Sequence, residues 1–130
     1  MVELLVVMVF IGALSSMAVP RFREYKVRAY LGAMQSDLAN LRIAEEEHWA
    51  MNQRYATDTA SLDLRFTTNV QITITSQNIL GGYTAVATHA NAPDRRCTTA
   101  MGAEAAPREP GSVVCEVLSG SGSSAVPSSP

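Results

Sequence analysis

The chain has 130 residues, 47% of them hydrophobic, and a formal net charge of −2. That length allows one domain with a small core. The slightly acidic balance gives no reason to expect nucleic-acid binding, which favours a strongly basic face.

The apolar content is concentrated at the start. Met1 to Val19 reads MVELLVVMVFIGALSSMAV, with Glu3 as its one formal charge and only Ser15 and Ser16 as further polar side chains. As a helix it would be roughly 28 Å long, close to the hydrocarbon thickness of a bilayer. A run of this length without a polar face is a membrane-span candidate rather than an amphipathic surface helix. Pro20 follows, and then Arg21, Arg23, Lys26 and Arg28, interrupted by Glu24.

From Pro20 to Asn52, Val27, Leu31, Met34, Leu38 and Leu41 recur at intervals of four and three. This is one apolar stripe on a helix, with Arg28, Gln35, Asp37, Asn40 and Arg42 on other faces. Proline in a helix interior can kink the helix without ending it, so both segments can join into one bent helix about 80 Å long. The helix is expected to end near Met51–Arg54, followed by a loop over 55–64. Asn69–Ser76 alternates strictly, with Val70, Ile72 and Ile74 on one face, and Tyr83–His89 alternates again after the Gly81-Gly82 turn. These read as a hairpin of half-buried strands. Thr98–Met101 and Ser112–Val117 are shorter strand candidates, separated by a solvated loop over Gly102–Gly111. The expected organisation is a membrane or filament-core segment at 1–19, its amphipathic continuation at 20–53 and a loop-and-sheet head at 54–118. The Ser/Gly/Pro tail at 119–130 has no core-forming pattern and reads as disordered.

Cys97 and Cys115 are the only cysteines. In a membrane-anchored chain they suggest one disulfide and an oxidising compartment, the alternative being two unrelated buried thiols. The basic cluster conflicts with that placement, because the positive-inside tendency would hold Arg21–Arg28 in the cytoplasm.

The opening VELLVVMVFIGALSSMAVPRF resembles the N-terminus of type IV pilins and of the related pseudopilins of type II secretion. The likeness rests on Glu3 just inside the apolar run, Gly12 within it, Pro20 at its end and Phe22 after it. Tyr25 to Tyr30 and Asp37-Leu38 continue in the same style. The resemblance is specific over about the first forty residues. It implies an α+β pilin fold: a long, bent N-terminal helix packed on an antiparallel sheet of about four strands, with a C-terminal loop bounded by a Cys97–Cys115 disulfide. Family members carry a short basic leader that prepilin peptidase removes to leave a methylated phenylalanine. Met1 stands where the third mature residue would be, so a start upstream of Met1 is expected. The leader's basic residues would hold the N-terminus in the cytoplasm, which resolves the charge conflict.

The same resemblance implies that Glu3 pairs with the N-terminal amine of a neighbouring subunit in the filament core. A carboxylate near a bilayer end that reaches the headgroups is the plainer explanation. It implies further that Gly12 and Pro20 bracket a segment able to extend in the filament, against the alternative of ordinary membrane-helix residues that neighbours tolerate. The implied function is a structural subunit, stored in the inner membrane and assembled by pilus machinery into an extracellular homopolymer for adhesion or motility. A secretion pseudopilin forming a periplasmic rod is the alternative within the superfamily. A single-span anchored periplasmic binding module is the alternative of another class.

No enzymatic role is expected. Glu45-Glu-Glu-His48 has the Glu-x-x-His spacing of helical di-iron sites but lacks a second copy, and it reads as a solvated acidic face. His89 has no partner at ligand spacing, and no nucleophile or phosphate-binding motif stands out. No catalytic residue, metal ligand or cofactor is therefore assigned. Phe10, Phe22, Tyr25, Tyr30, Trp49 and Tyr55 read as packing or interface residues. The cluster Arg21–Arg28 either pairs with acids such as Glu24, Glu45 or Glu46 on adjacent subunits or forms a solvated face.

Overall fold

A computed structural model describes residues 1–76, 78–118 and 125–126. One helix, α1 (Val2–Asn52), is followed by five strands: β1 (Val70–Thr75), β2 (Gly82–His89), β3 (Ala92–Gly102), β4 (Val113–Val117) and β5 (Ala125–Val126). They form one antiparallel sheet in the order β1-β2-β3-β4-β5. This is the pilin-like α+β arrangement expected from the sequence, with the two-residue β5 added at the β4 edge. Residues 119–124 and 127–130 of the Ser/Gly/Pro tail lie outside the described residues.

The helix runs through Pro20 without interruption. It ends where Gln53 turns left-handed and donates its N–H to the Trp49 carbonyl at 2.7 Å, a closure that satisfies one of the last orphan carbonyls. Only its second half meets the sheet. Met34, Leu38 and Leu41 are fully buried, with Leu31 packed against the same core.

The sheet offers that stripe a bed of small side chains. Register places Ile72 beside Ala87, Ala87 beside Cys97 and Cys97 beside Cys115, with Ile74, Ala85 and Thr99 forming the next row. Ala85 and Ala87 are completely covered. Alanine is a poor strand former, but on β2, between β1 and β3, it leaves room for the long helix side chains. Tyr83, also fully covered, fills the far end, its ring 5.1 Å from that of Tyr55.

Strand β3 begins six residues earlier than its predicted core of Thr98–Met101. Pro93 and the charged residues after it lie before that predicted core, and the register of β2 and β3 shifts between Thr88 and His89. The β4 ladder reaches only to Arg95. Pro93 therefore sits beyond β4 and within the irregularity, where a missing N–H breaks no ladder bond. At the other end of β3, Gly102 has φ of 65° and lies so close to the Gly81 carbonyl that a Cβ would overlap it. That approach lets Ala103 donate its N–H to Gly81 at 2.9 Å.

Two acidic residues, Asp37 expected off the apolar stripe and Glu45 expected on a solvated face, are buried instead. Asp37 is 4% exposed and accepts from both the backbone N–H of Thr67 at 2.7 Å and its hydroxyl at 3.0 Å. Glu45 is fully covered and accepts from the Ala56 N–H at 2.9 Å. Between them they fasten both ends of the long connection between α1 and β1. Glu45 is thus unavailable to an adjacent subunit.

Candidate assembly segment

From Val2 to Val19, α1 is one exposed apolar rod. The helix is long and apolar enough to cross a membrane, and none of its most apolar 18-residue window is buried within the chain. Leu4, Leu5, Met8, Val9, Phe10, Leu14 and Met17 are each about two-thirds exposed or more. Returning such side chains to an apolar environment is worth about 1.5–3 kcal/mol apiece for full burial. Summed over the segment, this is comparable with the entire stability of a small domain, about 5–15 kcal/mol. The rod therefore requires an apolar surround that this head does not supply.

Glu3 lies in the first turn of α1. There a carboxylate faces the positive end of the helix dipole. It is exposed and has no ion pair or hydrogen bond among the described residues. Gly12 is helical, and a Cβ placed on it would meet nothing within 4 Å. Its missing side chain thus serves no packing purpose inside the chain. Pro20 cannot supply an N–H to the Ser16 carbonyl one turn before it, while the Ser16 hydroxyl donates to the Ala13 carbonyl at 2.8 Å. The helix between Gly12 and Pro20 is intact but weakened at both boundaries. Glu3, Gly12 and Pro20 all lie on this exposed part of α1.

The two cysteines do come together. Cys97 and Cys115 are register partners on β3 and β4 and form a disulfide across 18 positions. In the chain-entropy account a loop of that size contributes about 3 kcal/mol. Gln35 of α1 donates to the Cys115 sulfur at 3.5 Å, which places the helix over this bridge. The disulfide closes the segment holding the turn over Ala103–Ala105 and the start of β4.

The charged residues of α1 make two ion pairs within the chain among the described residues. Arg28 bonds Glu24 of its own chain at 2.7 Å, and Arg42 lies 3.8 Å from Glu46. Lys26 sits over the Phe22 ring, 4.7 Å from its centroid. His89 is buried, stacks on Tyr30 with ring centroids 4.3 Å apart, and accepts from the Asn91 N–H at 3.1 Å. His48 Nδ1 donates to the Arg54 carbonyl at 3.0 Å, beside an open groove that Ile43, Met51, Leu62 and Leu64 also line. Among the described residues no three His, Cys, Asp or Glu side chains are grouped closely enough to hold a metal ion.

Asp37 and Glu45 are buried carboxylates of the head that sequence reasoning missed. Burial pushes the Glu45 carboxyl above the usual carboxylate range, opposed in part by the Ala56 N–H and by His48. The Tyr83 hydroxyl is likewise raised by burial, with Glu45 and Tyr55 adding to the effect. The signal for Glu45 was present, because intervals of four, three and four from Met34 lead through Leu38 and Leu41 to position 45. Asp37 stands one turn from both Met34 and Leu41. No protein-family model matches the chain, and no curated protein is similar to it.

Proposed function

We propose that the chain is a filament-forming structural subunit of the type IV pilin kind, held in a membrane by its apolar rod before assembly. The observation that supports this most is the division of one helix into a head-packed half and a bare apolar half. A soluble binding module would have no use for the bare half. A membrane would cover it, and so would the same rods of neighbouring copies, which makes transfer from lipid to polymer close to neutral in apolar burial. Glu3 then finds its partner only in the polymer, where the N-terminal amine of a neighbouring copy would neutralise it. Gly12 and Pro20 would let the intervening turns lengthen as copies pack. The outward head carries the surface that adheres or bears traction.

The test compares the chain in filaments sheared from cells with the chain left in membranes, together with the intact mass of each. The proposal expects wild-type chains in the sheared fraction, with a processed N-terminus. Glu3→Ala should leave membrane insertion intact and empty the sheared fraction. Normal filament number and length from Glu3→Ala would sink the role of that carboxylate. A chain confined to membranes would favour an anchored module, and a processed chain absent from the sheared fraction would favour a periplasmic secretion rod.

A further inference from the structure

We infer that Arg21, Arg23 and Lys26 form a collar that binds the phosphates of anionic phospholipids around the end of the apolar rod. The inference rests on the reading of Val2–Val19 as a membrane span, and it does not depend on filament formation. The three side chains are exposed, and among the described residues no carboxylate lies within ion-pair distance of any of them. Glu24, the one acid within the cluster, is taken by Arg28 at 2.7 Å. The collar therefore carries uncompensated positive charge.

Its geometry points to lipid rather than to one docked partner. With 3.6 residues per turn, Lys26 and Arg23 sit roughly 140° and 200° round the helix from Arg21. A single partner would meet one face, whereas a lipid annulus meets all of them. Along the axis, Arg21 to Lys26 spans about 8 Å, against about 5–8 Å for the headgroup layer of one leaflet. Phe22 and Tyr25, both about 60% exposed, are interleaved at the same level. Aromatic rings of this kind sit at membrane–water interfaces. Lys26 lies over the Phe22 ring, so its ammonium is held at the boundary rather than extended away from it. Guanidinium groups add bidentate recognition of phosphate oxygens.

The test uses the full chain reconstituted in phosphatidylcholine vesicles carrying a trace of spin-labelled phosphatidylglycerol or spin-labelled phosphatidylcholine. The motionally restricted fraction of each label reports its preference for the protein boundary. The wild-type chain should favour phosphatidylglycerol by about threefold or more, a preference that falls towards one when high salt shortens the screening length to about 3 Å. Combined Arg21→Gln, Arg23→Gln and Lys26→Gln should abolish the preference while insertion and the Cys97–Cys115 disulfide persist. Inorganic phosphate should compete no better than chloride at equal ionic strength. Equal restriction of the two labels, a preference that survives the triple substitution, or specific competition by inorganic phosphate would each overturn the collar. A chain that fails to insert at all would overturn both the collar and the span on which it rests.

Discussion

Glu45 takes the position at which the stripe of Met34, Leu38 and Leu41 next meets the sheet, and it is buried there with one oxygen bonded to Ala56 and Oε1 unpartnered. A carboxyl whose folded pKa is raised above its ordinary value of 4.5 contributes stability that is fully present below that value. The contribution is lost as pH rises through the folded value. Glu45→Gln keeps an acceptor for Ala56 and removes the buried charge. Relative to wild type it should gain stability as pH rises from about 4 to 8, read as the difference in urea midpoints of the full chain in detergent. A constant difference across that range would contradict the assignment. Asp37 serves the other end of the same connection, and Asp37→Ala leaves the Thr67 N–H and hydroxyl without their charged acceptor. That substitution should cost about 1–3 kcal/mol in the same unfolding assay. Helical spacing puts position 45 on the buried stripe, but an acidic side chain there, like Asp37, reads as solvent-facing until its loop partner is known. Ala56 and Thr67 lie 11 and 30 positions away, too far for helical spacing to reveal.

At the scale of elements, α1 and the two alternating strands were legible because their periods are clean: 3.6 for Val27–Leu41, and two for Val70–Ile74 and Tyr83–His89. Strand β3 was half legible, since Pro93 and three charged residues mask a strand whose first part lies beyond the β4 ladder. The disulfide was legible as a pairing, while its placement as direct register partners on neighbouring strands was not. Replacing Cys97 and Cys115 by alanine should leave that register in place, because the β3–β4 ladder flanks them on both sides. Stability should fall by about 3 kcal/mol, measurable as a lowered urea midpoint in detergent. Gly12 makes a separate prediction. Since a Cβ there meets nothing, Gly12→Ala should stabilise the free helix by about 1 kcal/mol and slow amide exchange between Gly12 and Pro20 in micelles. Unchanged exchange would remove glycine as the source of weakness in that stretch, leaving Pro20 alone.

The whole molecule is a head with a sound core joined to a rod that has none. The head has a closed disulfide, a fully covered stripe and a connection fastened by Asp37 and Glu45. The rod has apolar side chains on all faces and, in its first turn, a carboxylate with no ion pair among the described residues. That asymmetry is the central physical fact about the chain, and polymerisation through the rod is the account offered for it. A photoreactive phenylalanine analogue at Phe10, which is 65% exposed, tests it most directly. After irradiation of cells and shearing, polymerisation through the rod predicts cross-linked species of two copies of the chain in the sheared fraction. Cross-links to lipid alone, with only monomeric chain in every fraction, would contradict it.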